Sequence, residues 1–90
     1  MRGENVPKVL PLYKVLAYLS KSTEPKSVPE ISEGINVSYH TVRFNILKLL
    51  GLGAVESKGK KYVITEKGKN MLEEFFKEVE ELKKVVGRNG

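Results

Sequence analysis

The sequence of 90 residues contains no cysteine, no aspartate and no glutamine. The absence of cysteine excludes disulfide bonds, thiolate metal sites and thiol nucleophiles. Apolar runs are short, as in residues 15–19, so no segment is long enough to span a bilayer. The N-terminus also lacks the apolar stretch and small-residue cleavage site of a secretory signal. We therefore expect an intracellular protein with no membrane partner.

Arrangements typical of an enzyme are absent as well. His40 is the single histidine, and there is no aspartate to orient it, so neither a metal site nor a catalytic base is expected. Neighbouring glutamates, at 73–74 and 80–81, point in different directions from a helix and cannot form a catalytic pair. No phosphate-binding loop or glycine fingerprint occurs. The sequence predicts a protein that is not an enzyme and holds no metal ion or other cofactor.

The positive charge is concentrated in the first two thirds of the chain. Residues 1–65 hold ten basic and five acidic side chains, whereas residues 66–90 hold six of each. A basic region beside a neutral one suggests a polyanion as the partner of the first and a protein as the partner of the second. Thirteen of the sixteen basic residues are Lys and every acidic residue is Glu, a composition that high-temperature proteins tend to show.

Apolar spacing and capping residues predict two helices in the first third of the chain. Apolar residues recur at helical spacing over about 8–20, with Pro7 at the opening of the helix and a polar loop after it. Ser27-Val28-Pro29-Glu30 forms a capping box that begins a short second helix. Ile31 and Ile35 should face inward, and Gly34 between them would let another helix approach closely.

A third helix, a hairpin and a long final helix are predicted to follow. Asn36 suits a left-handed turn, Val37 should be buried, and Ser38 caps a helix over 39–50. The inward stripe of that helix is predicted to comprise Val42, Ile46, Leu49 and Leu50. The remaining elements are strands over 54–57 and 61–65, joined by Lys58-Gly59-Lys60, and a helix over about 66–86 capped by Thr65, with a loose end at 88–90. The fold class is therefore α+β, mostly α, in the order α-α-α-β-β-α.

Two motifs carry a resemblance to a known family. They are Ser38-x-x-Thr41-Val42-x-x-x-Ile46-x-x-Leu49-x-x-x-Gly53-x-Val55 and Tyr62-x-x-Thr65-Glu66-Lys67-Gly68. In these the sequence resembles the winged helix-turn-helix regulators, broadly the MarR, ArsR and PadR type and their small archaeal relatives, over about residues 9–80. The resemblance implies one domain, with a winged-helix DNA-binding core over 8–65 and a dimerisation helix over 66–86.

The resemblance also implies that the third helix is a recognition helix, which enters the major groove of double-stranded DNA. The side chains that would face the groove are Tyr39, His40, Arg43, Phe44 and Leu47. Ser38 and Lys48 would lie near phosphates, Thr41 would reach a phosphate or brace the helix start, and Arg43 would pair with guanine. At the tip of the hairpin, Lys58, Lys60 and Lys61 would contact the backbone or the minor groove.

Phe44 and Leu47 depart from the usual pattern, because such regulators more often carry polar or basic residues on this face. Two readings stay open at this point. In the first, Phe44 would touch a thymine methyl group while Leu47 packs on a sugar or on another part of the fold. In the second, the pair would mark a protein-binding patch.

The final helix carries a seven-residue apolar repeat. Its predicted dimerisation residues are Met71, Leu72, Phe75, Phe76, Val79, Leu82 and Val86, with Val85 widening the same face. A stripe this broad predicts a homodimer with two recognition helices about 34 Å apart, suited to a pseudo-palindromic site. The alternative is that the helix folds back on its own domain.

We expect a dimeric DNA-binding transcriptional regulator, most simply a repressor, in the cytoplasm and associated with the nucleoid. The charge of residues 38–61, five basic side chains against Glu56, favours it. Two alternatives stay open: a chromatin-type protein that binds DNA with little sequence preference, and a winged helix that serves as a protein-interaction module.

Overall fold

The computed structural model describes the backbone of residues 10–87 and the side chains of residues 10–82. Within them lie four helices and two strands: α1 Pro11–Ser20, α2 Val28–Ile35, α3 Tyr39–Leu52, β1 Val55–Lys58, β2 Lys61–Ile64 and α4 Glu66–Gly87. The predicted order of elements is confirmed. Some predictions concern residues outside the described ranges. They are those for Pro7, for the first two residues of the predicted first helix, for the side chains of Val85 and Val86, and for 88–90.

Helix α1 lies at the centre of the domain. It begins at Pro11, later than predicted, because Leu10 is extended and proline suits the first position of a helix, where its missing N–H would have no partner. Val15, Leu16 and Leu19 are buried on one side. The helix contacts α2, α3, α4 and β2. The core of the domain is therefore assembled around α1.

Helix α2 starts at the predicted capping box. The Glu30 N–H donates to Ser27 Oγ at 3.3 Å, and the Ser27 N–H donates to Glu30 Oε1 at 2.9 Å. Ile31 is fully buried and Ile35 partly. A Cβ atom at Gly34 would collide with the ring of Tyr18, which confirms the predicted close approach of a second helix, here α1.

The turn between α2 and α3 is fixed by backbone geometry and one hydroxyl group. Asn36 adopts the predicted left-handed conformation with φ 55°. Ser32 Oγ donates to the Val37 carbonyl at 2.6 Å, and the Val37 N–H donates to the Ser32 carbonyl at 3.2 Å. Val37 is only partly buried. The two helices are thereby held at a defined angle.

Helix α3 presents one buried stripe, formed by Val42, Asn45, Ile46 and Leu49. Leu50, predicted to belong to this stripe, is only partly buried, and Asn45 takes a buried position that was not predicted. The helix runs through Gly51 to Leu52, two residues beyond the predicted end. Glycine weakens a helix without breaking it, whereas Gly53, with φ 77°, supplies the left-handed cap that ends it.

The strands form an antiparallel hairpin with Val55 opposite Ile64 and Lys58 opposite Lys61. Gly59, with φ 67°, makes the tight connection. Lys26, predicted to lie in a loop, forms an isolated antiparallel bridge with Tyr62 of β2. Its backbone N–H donates to the Tyr62 carbonyl at 3.1 Å, and the Tyr62 N–H donates to the Lys26 carbonyl at 2.8 Å. The hairpin is therefore anchored to the α1–α2 connection.

The junction between β2 and α4 explains the second sequence motif. Thr65 Oγ1 accepts from the Gly68 N–H at 3.1 Å, capping α4 as predicted, and donates to the Gly53 carbonyl at 2.6 Å. The Thr65 N–H donates to the Ala54 carbonyl at 3.0 Å. A Cβ atom at Gly68 would collide with the carbonyl oxygen of Ala54. The start of α4 is therefore packed tightly against the connection between α3 and β1, and only glycine fits without a shift.

Helix α4 joins the core with its first half. Leu72 is buried, and the ring of Phe75 stacks on Tyr13 of α1 with 4.1 Å between the ring centroids. At 22 residues, the helix is about 33 Å long. In the described part of the chain, no helix combines the length and the apolar character needed to cross a membrane.

We predict that Gly68→Ala lowers the free energy of unfolding by about 1–3 kcal/mol, because the added methyl group must displace the Ala54 carbonyl. Urea denaturation followed by circular dichroism measures the change. Gly51→Ala is the matched control, since its added Cβ would meet nothing within 4 Å apart from the backbone of its own helix and its chain neighbours. The control should be unchanged or more stable by up to about 1 kcal/mol. Equal stabilities of the two variants would contradict the tight contact at Gly68.

Candidate nucleic-acid interface

The side of α3 opposite its buried stripe is open to solvent. Every residue predicted to face a DNA groove is exposed on this side: Tyr39, His40, Arg43, Phe44 and Leu47. Lys48, the predicted phosphate contact further along α3, is exposed as well. Within the described residues, no other element covers this face. A helix held from one side and bare on the other has the shape that a major groove about 12 Å wide accepts.

The exposed face of α3 is cationic. Arg43 and Lys48 project from it, and the helix contains no acidic residue. Lys48 Nζ lies 5.1 Å from the centroid of the Phe44 ring, which places the ammonium group over an exposed aromatic face. Positive charge and apolar surface therefore lie side by side on this helix.

The first turn of α3 is braced by two hydroxyl groups. Ser38 Oγ accepts from the Thr41 N–H at 3.2 Å and donates to Thr41 Oγ1 at 2.9 Å. These bonds have the geometry of the bracing role predicted for Thr41, and its contact with a phosphate stays a prediction. Tyr39 and His40 meet edge to face, with 5.7 Å between their ring centroids. Backbone N–H groups at this end give the helix a positive pole, which favours a nearby anion.

The tip of the hairpin brings the three predicted lysines together. Lys58 and Lys61 are directly opposite each other, and Lys60 lies in the connection between them. All three are exposed. Lys58 Nζ lies 3.9 Å from Glu56 Oε1, but an exposed pair of this kind is screened by water and contributes little. We call residues 58–61 the wing tip; its charge remains predominantly positive.

Asn45 has a buried role near this surface that was not predicted from the sequence, and Glu30, predicted as a helix cap, has its charge stabilised as well. Asn45 lies in the buried stripe of α3 and donates from Nδ2 to the Thr41 carbonyl at 2.8 Å, so its amide is turned inward. Hydrogen bonds from the Ser27 N–H and then from its hydroxyl lower the pKa of Glu30, and the positive charges of Lys61 and Lys26 add to the effect. The capping box of α2 thus supplied a signal for Glu30, whereas nothing in the apolar pattern marked Asn45.

The residues predicted to form the dimer are divided between the core and the surface. Leu72 is buried within its own domain and Phe75 is partly covered by Tyr13, while Met71 and Val79 are half-buried. Phe76 and Leu82 remain exposed, at 52% and 47%. Part of the stripe is therefore used by the domain itself, and its exposed members lie along α4 beyond the core.

The arrangement of three helices, a hairpin and a further long helix can be compared with known families. The sequence matches a family model described as winged helix-turn-helix over residues 12–84. The chain belongs to the winged helix-turn-helix family. The resemblance noted in the sequence is thereby confirmed, and so is the fold class, with α3 as the second helix of the helix-turn-helix and β1–β2 as its wing.

Solved structures similar to this winged-helix chain include bacterial regulators. MepR, a transcription regulator of the Staphylococcus aureus multidrug efflux pump MepA, superposes with a TM-score of 0.74 at 16% identity, over 88% of this chain and 62% of that one. MarR of Staphylococcus aureus, solved with salicylate and kanamycin, gives 0.73 at 21% identity, over 97% and 61%. A MarR family protein from Bacillus stearothermophilus gives 0.68 at 22% identity, over 92% and 62%.

At these identities the likeness to solved structures shows a shared fold. The chain spans about three fifths of the length of each of these structures. No curated protein matches the sequence.

Proposed function

We propose that this chain is a dimeric DNA-binding transcriptional regulator that acts as a repressor by occluding its site. The observation that carries the proposal is the bare cationic side of α3 beside the lysine-bearing wing tip. The fold shared with MepR, described as a transcription regulator, supports it. The mechanism needs no catalytic group, since binding alone would exclude other proteins from the same stretch of DNA.

In the proposed complex, α3 enters the major groove with its N-terminal half toward the base edges. The guanidinium group of Arg43 is exposed and suited to a bidentate contact with guanine O6 and N7. The wing tip contacts the phosphate backbone beside the groove, where lysine charges give affinity without reading sequence. Base contacts and backbone contacts are therefore assigned to different elements of the fold.

Dimerisation is proposed to occur through the exposed members of the α4 stripe. Phe76 and Leu82 lie about 120° apart around α4, at the two edges of the stripe, with the half-buried Val79 between them, and a second copy of α4 packed on the stripe would cover both. A two-fold axis through that contact would present two recognition helices to one face of the duplex, about 34 Å apart. This arrangement is the reason to expect a pseudo-palindromic site.

A second candidate function is a protein-interaction module, favoured by the exposure of Phe44 and Leu47, at 59% and 55%. The basic residues around them argue for a polyanion instead. Binding to a mixed-sequence duplex at ~50 mM salt separates the two, because electrostatic affinity for DNA is greatest there. A chromatin-type role is distinguished by competition: genomic DNA and random DNA would then compete equally with any selected site.

We predict that Arg43→Ala weakens binding to the preferred site, obtained by selection from random duplexes, by about 1–3 kcal/mol and relaxes the base preference at one position. Fluorescence anisotropy on the selected site and on single-base variants measures both effects. Lys77→Ala, which removes an exposed charge from α4, is the control and should change the affinity little. If Arg43→Ala binds every sequence as the unmodified protein does, α3 is not the reading element.

Lys60→Ala should weaken binding to all sequences alike, because a phosphate contact carries no base information. One phosphate contact would be lost in each half-site. The slope of log Kd against log salt should therefore become shallower by about one unit for each half-site. An unchanged slope would remove the wing tip from the proposed interface.

Phe76→Glu is expected to convert the dimer into a monomer, since the exposed edge of the α4 stripe at Phe76 would then carry a charge into the contact. Sedimentation velocity measures the oligomeric state. Lys77→Glu introduces the same carboxylate at the next exposed position and should remain dimeric. A Phe76→Glu protein that stays dimeric would exclude this edge as the interface.

A further inference from the structure

The centre of the exposed face of α3 is apolar. Phe44 and Leu47 are three residues apart, so they lie next to each other on the helix surface. They are among the most exposed large apolar side chains of the described chain, at 59% and 55%. Arg43 precedes them and Lys48 covers part of the Phe44 ring. A partner that binds this face must therefore place negative charge against the edges of the face and apolar groups against its centre.

The hydrogen-bonding side chains available on α3 favour guanine over adenine. Arginine and lysine suit the two acceptors of guanine, whereas adenine is read by asparagine or glutamine. The chain has no glutamine, and Asn45 turns its amide to the Thr41 carbonyl inside the domain. An A·T pair also presents the C5-methyl group of thymine in the major groove, and an apolar side chain reads it by contact.

We propose that Phe44, supported by Leu47, reads thymine C5-methyl groups in the major groove, so that the preferred half-site combines a guanine for Arg43 with thymine for this apolar pair. The inference rests on the proposed function, since it requires α3 to lie in the groove. A duplex satisfies both demands of the face, because phosphates flank the groove while thymine methyl groups line its floor. A protein partner would need acidic residues arranged around an apolar centre.

The test replaces thymine by deoxyuridine in the half-site obtained by selection from random duplexes. This change removes the methyl group and keeps every hydrogen-bonding group of the base pair. For the unmodified protein we expect Kd to rise about fourfold for each contacted thymine, the equivalent of one buried methyl group. For Phe44→Ala, Kd on the thymine duplex should already be raised, and the further change to deoxyuridine should have almost no effect.

Leu52→Ala is the matched control, because Leu52 is an exposed apolar residue, at 45%, at the far end of the same helix. It should respond to deoxyuridine as the unmodified protein does. Phe44 is exposed, so its removal should leave the thermal unfolding midpoint nearly unchanged, which melting of both variants verifies.

The outcomes separate the inference from the function it rests on. Selective DNA binding that ignores the change from thymine to deoxyuridine would overturn methyl reading and leave the DNA-binding proposal intact. An equal response of Phe44→Ala and the unmodified protein would also overturn it. Absence of DNA binding at ~50 mM salt would instead overturn the proposed function itself, and the inference with it.

Discussion

The burial of a single stripe of α3 is the constraint on which the rest of the molecule depends. Val42, Ile46 and Leu49 recur at intervals of four and three residues, so they can be buried together only if one side of the helix meets the core. Burying each such side chain contributes about 1.5–3 kcal/mol. The burial of these side chains determines which side of α3 faces inward. Arg43, Phe44, Leu47 and Lys48 are therefore held outward, on a helix whose position is determined by its packing.

Two backbone junctions define where this outward side lies relative to the hairpin. The α2–α3 turn is closed by Ser32 and the left-handed Asn36, and the contact between Gly68 and Ala54 joins the start of α4 to the connection between α3 and β1. Thr65 links the same two ends through its hydroxyl group. These hydrogen bonds and close contacts determine where the wing tip lies relative to α3. The charge of the wing tip and the apolar surface of α3 are thereby presented together.

The sequence predicted those elements whose signals are local. Capping by Ser27 and Ser38, the left-handed turn at Asn36, the hairpin and the helical periodicity of α1 and α3 all depend on neighbouring residues. The exposed side of α3 followed from its periodicity, because a residue that is not in the buried stripe of a one-sided helix must face solvent.

The features that escaped prediction depend on contacts that the pattern of apolar residues does not reveal. Lys26 pairs with Tyr62 through backbone groups, which side-chain patterns do not reveal. Asn45 is buried because its amide donates to a carbonyl in its own helix, so a polar residue occupies a position in the buried stripe that apolar residues alone do not mark. Leu72 belongs to the heptad of α4 yet is used by the core, since the stripe faces α1 before it leaves the domain. The resemblance to winged-helix regulators named the candidate groove residues, but only the packing of α3 settles which of them are free.

The central claim is that the outer side of α3 enters a duplex together with the wing tip. An NMR titration tests this claim most directly. Backbone amide chemical shifts are recorded while a short duplex carrying the selected half-site is added at low salt. If the claim holds, the largest changes fall in residues 38–48 and 58–61, and those of α4 stay small. Changes concentrated in α4, with α3 unaffected, would contradict it.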